Sequence, residues 1–247
     1  MLEVRVEGSG PDVVLVHGGA APRATWAGLE GLSARWTLRY VYRRGYGDSP
    51  APIDGRQDFE VDAADLAEVL PERAHLVAHS YGCHAALHAT AAAPERVRSL
   101  TLIEPPLYFL NEGDEVVQSL GRMGDEMLND GEHADPERLR RFLRISGVDV
   151  GDGPLPEAVL AGVRRAHGGR VPSESRPDLA AVRAAAIPAL VASGDHEPGL
   201  ERICDALADA LDAERVRAPG GGHFVARAPG FGDTLEGFLE PVSRGGS

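Results

Sequence analysis

Ser80 lies in a sequence context that could turn a serine hydroxyl into a nucleophile. It is the centre of residues 78–82 (AHSYG), between the apolar run His75–Ala78 and the alanine-rich stretch Cys83–Ala93. Small residues two positions before and two after a nucleophile let a strand and a helix nearly touch at a sharp turn. The pattern therefore predicts a strained turn that lifts the hydroxyl above the edge of a sheet, beside the N-terminus of a helix.

A serine hydroxyl needs a base to remove its proton, and histidine is suited because its ordinary pKa lies near neutral pH. His223 ends the glycine-rich stretch 220–223 (GGGH), and Asp195 closely follows the apolar run Ala189–Ala192. An acid at the end of a strand could hold the imidazole in the correct tautomer. The chain order Ser80, Asp195, His223 predicts nucleophile, orienting acid and base.

Short apolar runs alternate with helical patterns along the chain. Continuous runs of this kind are typical of parallel strands that are covered on both faces. The predicted strands are Val13–His17, Leu38–Tyr42, His75–Ala78, Leu100–Ile103, Ala189–Ala192 and Glu214–Arg217. Leu2–Glu7 alternates instead, as an edge or antiparallel strand would. These alternations predict an α/β fold with a mostly parallel sheet flanked by helices. Residues 105–186 contain helical patterns without a convincing strand, which predicts a helical cap inserted between core segments 1–104 and 187–247.

Composition excludes several classes of function. The formal net charge of −13 argues against nucleic-acid binding, and no lysine occurs, so Schiff-base and P-loop lysine chemistry are excluded. No apolar run approaches the ~20 residues of a membrane helix, and the N-terminus does not resemble a signal peptide. Two cysteines make no disulfide framework. The expectation is a cytoplasmic protein without membrane association, of unknown oligomeric state.

Together with the turn at Ser80, further motifs make the chain resemble the α/β-hydrolase family along nearly its whole length. These motifs are residues 17–19 (HGG), 44–49 (RGYGDS), 193–195 (SGD) and 222–224 (GHF). Tyr42 stands where the family usually has Asp. The resemblance implies an α/β-hydrolase fold and an oxyanion hole. Its two donors would be the backbone amides of Tyr81 and Gly19, with Ala20 as the alternative to Gly19.

The predicted function is hydrolysis of a small-molecule ester, lactone or thioester through an acyl-serine intermediate, with neither metal nor organic cofactor. The same triad could instead perform C–C bond hydrolysis or cofactor-free perhydrolysis of the haloperoxidase type. A ligand-binding, receptor-like protein on a hydrolase scaffold is the non-enzymatic alternative.

Several further residues have two interpretations. Glu104 follows the run Leu100–Ile103 and is the alternative orienting acid; otherwise it is a possible pocket residue, together with Trp26 and Tyr108. A smaller group could either contribute to a site or simply pack: His17, His79, His84, His88, His196 and Cys83. His84 and His88 are four residues apart and could face a metal together, but no third ligand is evident, so packed or surface histidines are favoured.

Overall fold

A seven-stranded sheet forms the centre of the computed structural model, which describes residues 1–244, without the side chain of Arg244. The strand order is β1-β3-β2-β4-β5-β6-β7, with β1 antiparallel to β3 and all other neighbours parallel. The strands are β1 (Glu3–Glu7), β2 (Asp12–Val16), β3 (Thr37–Tyr42), β4 (Ala74–His79), β5 (Val97–Ile103), β6 (Ala189–Ser193) and β7 (Glu214–Arg217). The last three residues of the predicted core segment 187–247 lie outside the described part.

The apolar strands separate two hydrophobic layers. Alternate residues of β2 illustrate this: Val14 and Val16 pack in one layer, and Val13 and Leu15 pack in the other. Successive side chains of a strand point to opposite faces, so a strand covered on both faces must be apolar at every position. The sheet therefore lies inside the core, and polar residues can be accommodated at its edges.

Nine helices occur among the described residues. They are α1 (Pro22–Thr25), α2 (Phe59–Val69), α3 (Gly82–Ala92), α4 (Glu115–Asp130), α5 (Pro136–Ile145), α6 (Glu157–Ala166), α7 (Leu179–Ala184), α8 (Pro198–Leu211) and α9 (Phe231–Arg244). Buried residues of α2, α3 and α8 pack in one layer, and those of α9 pack in the other. The alternation of strands and helices confirms the predicted α/β class.

Acidic side chains fix where several helices begin. Asp58, Asp114 and Asp135 each accept a hydrogen bond from a backbone N–H in the first turn of α2, α4 and α5. Such caps satisfy donors that have no partner inside the helix. At α8, Glu197 caps the helix and Pro198 occupies its first turn, where the missing N–H costs nothing. No helix among the described residues has the length and apolarity needed to cross a membrane.

The long connection between β5 and β6 holds α4, α5, α6 and α7. Side chains from 127 to 150 form their own small hydrophobic cluster, whose buried members are Met127, Ala134, Leu139, Leu143 and Val150. The first half of α4 and Val182 of α7 instead pack in the main core. The segment is thus helical, and its two ends are continuous with the core.

Candidate active site

The polypeptide turns sharply at Ser80, between the last residue of β4 and the first residue of α3. Ser80 has a φ of 53°, in the left-handed region that is uncommon for a residue with a side chain. Its N–H donates a hydrogen bond of 2.8 Å to the carbonyl of Ile103 on the neighbouring strand. The structure therefore has the strained strand-to-helix turn that the sequence predicts.

Close backbone contacts explain the glycines around this turn. A Cβ atom added to Gly82 would lie 2.5 Å from the carbonyl oxygen of His17, so α3 can approach the end of β2 only with glycine there. A Cβ on Gly18 would lie 2.7 Å from the Cβ of Ser80 and 3.3 Å from its Oγ. The Ser80 hydroxyl thus lies against the loop that follows β2. In the described chain this hydroxyl makes no hydrogen bond, to His223 or to any other group.

The loop after β2 carries the predicted oxyanion donor Gly19. The hydroxyl of Tyr46 donates a hydrogen bond of 2.7 Å to the Gly19 carbonyl, which holds this peptide in place. Space is open beside Gly19, since an added Cβ would meet nothing within 4 Å. Buried His17 fixes the base of the loop through the Gly18 carbonyl at 2.9 Å and the N–H of Arg43 at 3.1 Å. His17 therefore shapes the loop.

The other predicted donor, Tyr81, follows Ser80 directly and begins α3 as its N-cap residue. Its hydroxyl donates a hydrogen bond of 2.8 Å to the carbonyl of Arg170. Burial raises the pKa of this phenol, so it is protonated at neutral pH and acts as a donor. The role of the backbone amides of Tyr81 and Gly19 as oxyanion donors remains a prediction.

His223 lies in the loop after β7 and is held beside the nucleophile turn by His79. The Nε2–H of His79 donates a hydrogen bond of 2.8 Å to the backbone carbonyl of His223, and the two ring centroids are 4.6 Å apart. Since His79 immediately precedes Ser80, this bond ties the histidine loop to the turn. Burial lowers the pKa of His79 to about 3, so its ring is neutral.

The carboxylate next to His223 belongs to Glu104, at the end of β5. Its side chain is fully buried, and one of its oxygens, Oε2, lies 3.1 Å from Nδ1 of His223. The other oxygen accepts a 2.7 Å hydrogen bond from the N–H of Gly194, and Oε2 also lies 2.9 Å from Nε2 of His196. All three contacts bring a donor to an acceptor, as a buried carboxylate requires.

Two histidines keep Glu104 ionised in spite of its burial. Burial is the largest single influence and raises its pKa, but the hydrogen bonds from His196 and His223 outweigh it and bring the pKa to about 2. Because an ionised carboxylate can only accept, the proton of neutral His223 lies on Nδ1. Nε2 is then left unprotonated, which is the tautomer a general base needs.

The prediction that Asp195 orients His223 is wrong for this structure. The Asp195 side chain is exposed, and it makes no hydrogen bond to His223 or to any other described residue. The backbone there has a φ of 54°, and its N–H donates to Oε1 of Glu201 at 3.0 Å. This turn directs the side chain of Asp195 into solvent. The carboxylate of Glu104, which follows the adjacent strand β5, contacts His223 instead.

The predicted pocket residues Trp26 and Tyr108 are both buried in the core layers. The indole of Trp26 packs edge-on to His79, with a centroid separation of 6.2 Å. Tyr108 lies under α4, where a Cβ on Gly121 would come within 2.9 Å of its ring. Trp26 therefore supports the residue before the nucleophile from behind, and Tyr108 anchors the helical segment.

One group of side chains among the described residues has the donor atoms of a metal site. Glu104, His196 and His223 each offer one ligand atom, and these atoms lie within 4.8 Å of one another. The three groups already satisfy one another by hydrogen bonding. By contrast, fully buried His84 has no hydrogen-bond partner on either ring nitrogen, and its pKa is lowered to about 3 by burial, so it is a packed neutral side chain.

Two functional contacts were not assigned from the sequence. In the sequence, His79 and His196 are only neighbours of Ser80 and Asp195, and each has two possible interpretations. The signal that could have found them is their position at the ends of β4 and β6, since the carboxyl ends of parallel strands meet at one edge of the sheet. Their actual partners depend on the turns at residues 80, 104 and 195, which all have positive φ.

A mostly parallel sheet with a serine turn, a histidine loop and a buried carboxylate at one edge defines a hydrolase of the α/β class. The sequence matches the family model described as "Alpha/beta hydrolase family" over residues 13–231. The chain belongs to the α/β-hydrolase family, which confirms the predicted fold.

Similar proteins include enzymes named as ester hydrolases. The chain is 36% identical over 185 residues to a pimeloyl-[acyl-carrier protein] methyl ester esterase of Methylococcus capsulatus, a match covering 73% of this chain and 68% of that enzyme. Two esterases of the same name from Aeromonas match over 45% of their own length. A 2-(acetamidomethylene)succinate hydrolase of Mesorhizobium japonicum is 30% identical over 244 residues, covering 91% of this chain and 85% of that protein.

Solved structures agree on the fold. A thermophilic esterase from Thermogutta terrifontis superposes with a TM-score of 0.68 at 20% identity, covering 98% of this chain and 93% of that one. At this level of identity the likeness concerns the fold alone. The family and the named relatives support a hydrolase that acts on esters.

Proposed function

We propose that this protein hydrolyses small carboxylic esters through an acyl intermediate on Ser80, with His223 as general base and Glu104 as the acid that orients it. The observation that carries the proposal is the hydrogen bond between Glu104 and Nδ1 of His223, beside a strained serine turn. It supplies the ionised acid and the histidine tautomer that acyl transfer requires.

The reaction proceeds in two halves. The Ser80 oxygen attacks the ester carbonyl carbon while Nε2 of His223 takes the hydroxyl proton, and the backbone amides of Tyr81 and Gly19 hold the resulting oxyanion. The intermediate collapses, the C–O bond to the alcohol breaks, and His223 returns the proton to the departing alkoxide. Water then repeats the sequence on the acyl-enzyme with His223 as base, which releases the carboxylic acid and free Ser80.

Residues 105–186 are proposed to act as a cap over this site. The argument rests on Gly147, just after α5, where an added Cβ would lie 2.7 Å from the ring of Phe224 and 3.3 Å from the Cβ of His223. The helical segment therefore contacts the histidine loop directly. A cap in this place would exclude water and shape the pockets for the acyl and alcohol groups.

The names of two relatives suggest which substrates to test first. One is named for a methyl ester, and the other for a succinate derivative. We propose a small-molecule ester with a compact alcohol as the substrate class. A panel of methyl esters, lactones and thioesters, with a β-diketone and a peracid assay beside it, ranks these chemistries by kcat/KM.

The proposal is tested by active-site labelling. A fluorophosphonate probe should label the wild type at Ser80, as read by mass spectrometry, and the protein should hydrolyse p-nitrophenyl acetate. Ser80→Ala should abolish labelling and lower kcat by at least ~10³-fold. The matched control is Ser9→Ala, an exposed serine before β2, which should behave as wild type. Equal labelling of wild type and Ser80→Ala would overturn the assignment.

A further inference from the structure

A second histidine shares the oxygen that orients His223. Nε2 of His196 lies 2.9 Å from Oε2 of Glu104, closer than the 3.1 Å of Nδ1 of His223 to the same atom. Glu104 is fully buried, while 20% of the His196 side chain is exposed. The buried acid is therefore bridged to solvent by an imidazole that the proposed reaction does not use.

The groups around His196 favour its charged form. Glu104 faces it from the end of β5, Glu197 and Glu201 face it from the start of α8, and His223 faces it from the histidine loop with ring centroids 6.1 Å apart. Burial acts most strongly and lowers its pKa, but the hydrogen bond and charge of Glu104, with the other two carboxylates, raise the pKa above the ordinary value of 6.5.

We propose that His196 is a positioning residue that holds Glu104 and, as an imidazolium, weakens the binding of a proton by His223. The inference rests on the proposed function, since it concerns the same base. Its consequence is that His223 stays unprotonated, and therefore able to accept the Ser80 proton, at lower pH than it would beside Glu104 alone.

The physical reason is competition for one carboxylate oxygen. When His196 is protonated, a second proton on His223 would place two positive charges beside the single negative charge of Glu104. Repulsion between like charges disfavours this state. A proton on His196 therefore opposes a proton on His223.

The test compares His196→Gln, which can keep an N–H donor to Glu104 but has no charge, with His196→Ala, which has neither. The control is His133→Gln, an exposed histidine after α4. The rate of Ser80 labelling by a fluorophosphonate is measured from pH 4.5 to 8. In His196→Gln, we expect the midpoint on the acid side of the pH–rate profile to rise by roughly 0.5–1 pH unit, with a near-normal maximal labelling rate. His196→Ala should show the same shift with a lower maximal rate. His133→Gln should show no shift.

NMR titration of the His223 imidazole in the same proteins gives a readout that does not need a reactive Ser80. The midpoint of this titration should rise in both His196 variants by the same amount as the acid-side midpoint of the labelling rate. An unchanged or lower midpoint in His196→Gln would overturn the role of His196. A raised midpoint in a protein whose Ser80 is never labelled would uphold the coupling and reject the proposed function instead.

Discussion

Glu104 lies 3.1 Å from Nδ1 of His223, although the two residues are 119 positions apart in the sequence. The contact crosses from the end of β5 to the loop after β7, above the intervening strand β6. Gly194, at the end of β6, makes this crossing possible, because an added Cβ there would lie 2.0 Å from the carbonyl oxygen of Gly222. The loops after β6 and β7 therefore pack against each other with Glu104 beneath them.

Gly147→Ala should impair activity by moving the histidine loop. Gly147 has a φ of 77°, and an added Cβ would clash with Phe224 and crowd His223. We expect kcat/KM on p-nitrophenyl acetate to fall about 10-fold, as misplacement of a catalytic group does.

The control for this variant is Gly151→Ala, in the same connecting segment, where an added Cβ meets nothing within 4 Å. It should leave kcat/KM unchanged. Equal activity of Gly147→Ala and Gly151→Ala would contradict a contact between cap and histidine loop that matters for the reaction.

Asp62→Asn should destabilise the fold strongly. Asp62 pairs with Arg43 at 3.3 Å, and both side chains are at most 4% exposed. Removing the negative charge leaves a buried guanidinium without a counter-ion, which typically costs about 3–5 kcal/mol. Urea unfolding at neutral pH measures the loss.

The partly exposed pair Arg39–Asp12 provides the comparison, since its side chains are 31% and 28% exposed at a separation of 2.5 Å. Asp12→Asn should cost less than about 1 kcal/mol, because solvent screens such pairs. A similar loss for both variants would mean that burial does not set the strength of the Arg43–Asp62 pair.

Stability should fall as the pH drops below 6.5. Burial lowers the pKa of His75 to about 4, those of His79 and His84 to about 3, and that of His17 well below its ordinary value. Between these values and the ordinary 6.5 the unfolded chain binds protons that the folded chain does not, so protons favour unfolding. From pH 6.5 to 5.5 each of these four histidines lowers the free energy of unfolding by about 1 kcal/mol, and the raised pKa of His196 offsets only part of this, so we expect a decrease of about 3–4 kcal/mol.

Urea unfolding at pH 7.5, 6.5 and 5.5 checks this expectation. His75→Gln, which can still hydrogen-bond to Ser99 and Ser243, should show about one quarter less pH dependence than the wild type. A free energy of unfolding that stays constant or rises toward pH 5.5 would be inconsistent with four buried neutral histidines.

The strands and the nucleophile turn could be predicted because local sequence determines them. The run Ala189–Ala192 must be covered on both faces, and the small residues around Ser80 suit only a close strand-to-helix turn. The choice between Asp195 and Glu104 could not be made in this way. Both follow strands at the same edge, and both have positive φ, so only the direction of each turn decides which carboxylate reaches His223.

The sequence also could not predict where the helical segment ends and the main core begins. The helical pattern Asp178–Ala185 lies in the predicted cap, yet Val182 packs in the main core and α7 contacts α3 and α8. Amphipathic periodicity indicates that a helix has an apolar face, but it does not identify the partner of that face. The short α1 was missed because four residues carry no periodic signal.

The most direct test of the account compares kcat/KM of Glu104→Gln and Asp195→Asn on p-nitrophenyl acetate, with thermal unfolding confirming that both variants fold. A neutral amide beside His223 can stabilise the wrong tautomer, so Glu104→Gln should lose about 10³–10⁴-fold in kcat/KM. Asp195→Asn should stay within about 3-fold of the wild type, because its side chain lies in solvent. The reverse order, with Asp195→Asn inactive and Glu104→Gln active, would contradict the assignment of Glu104.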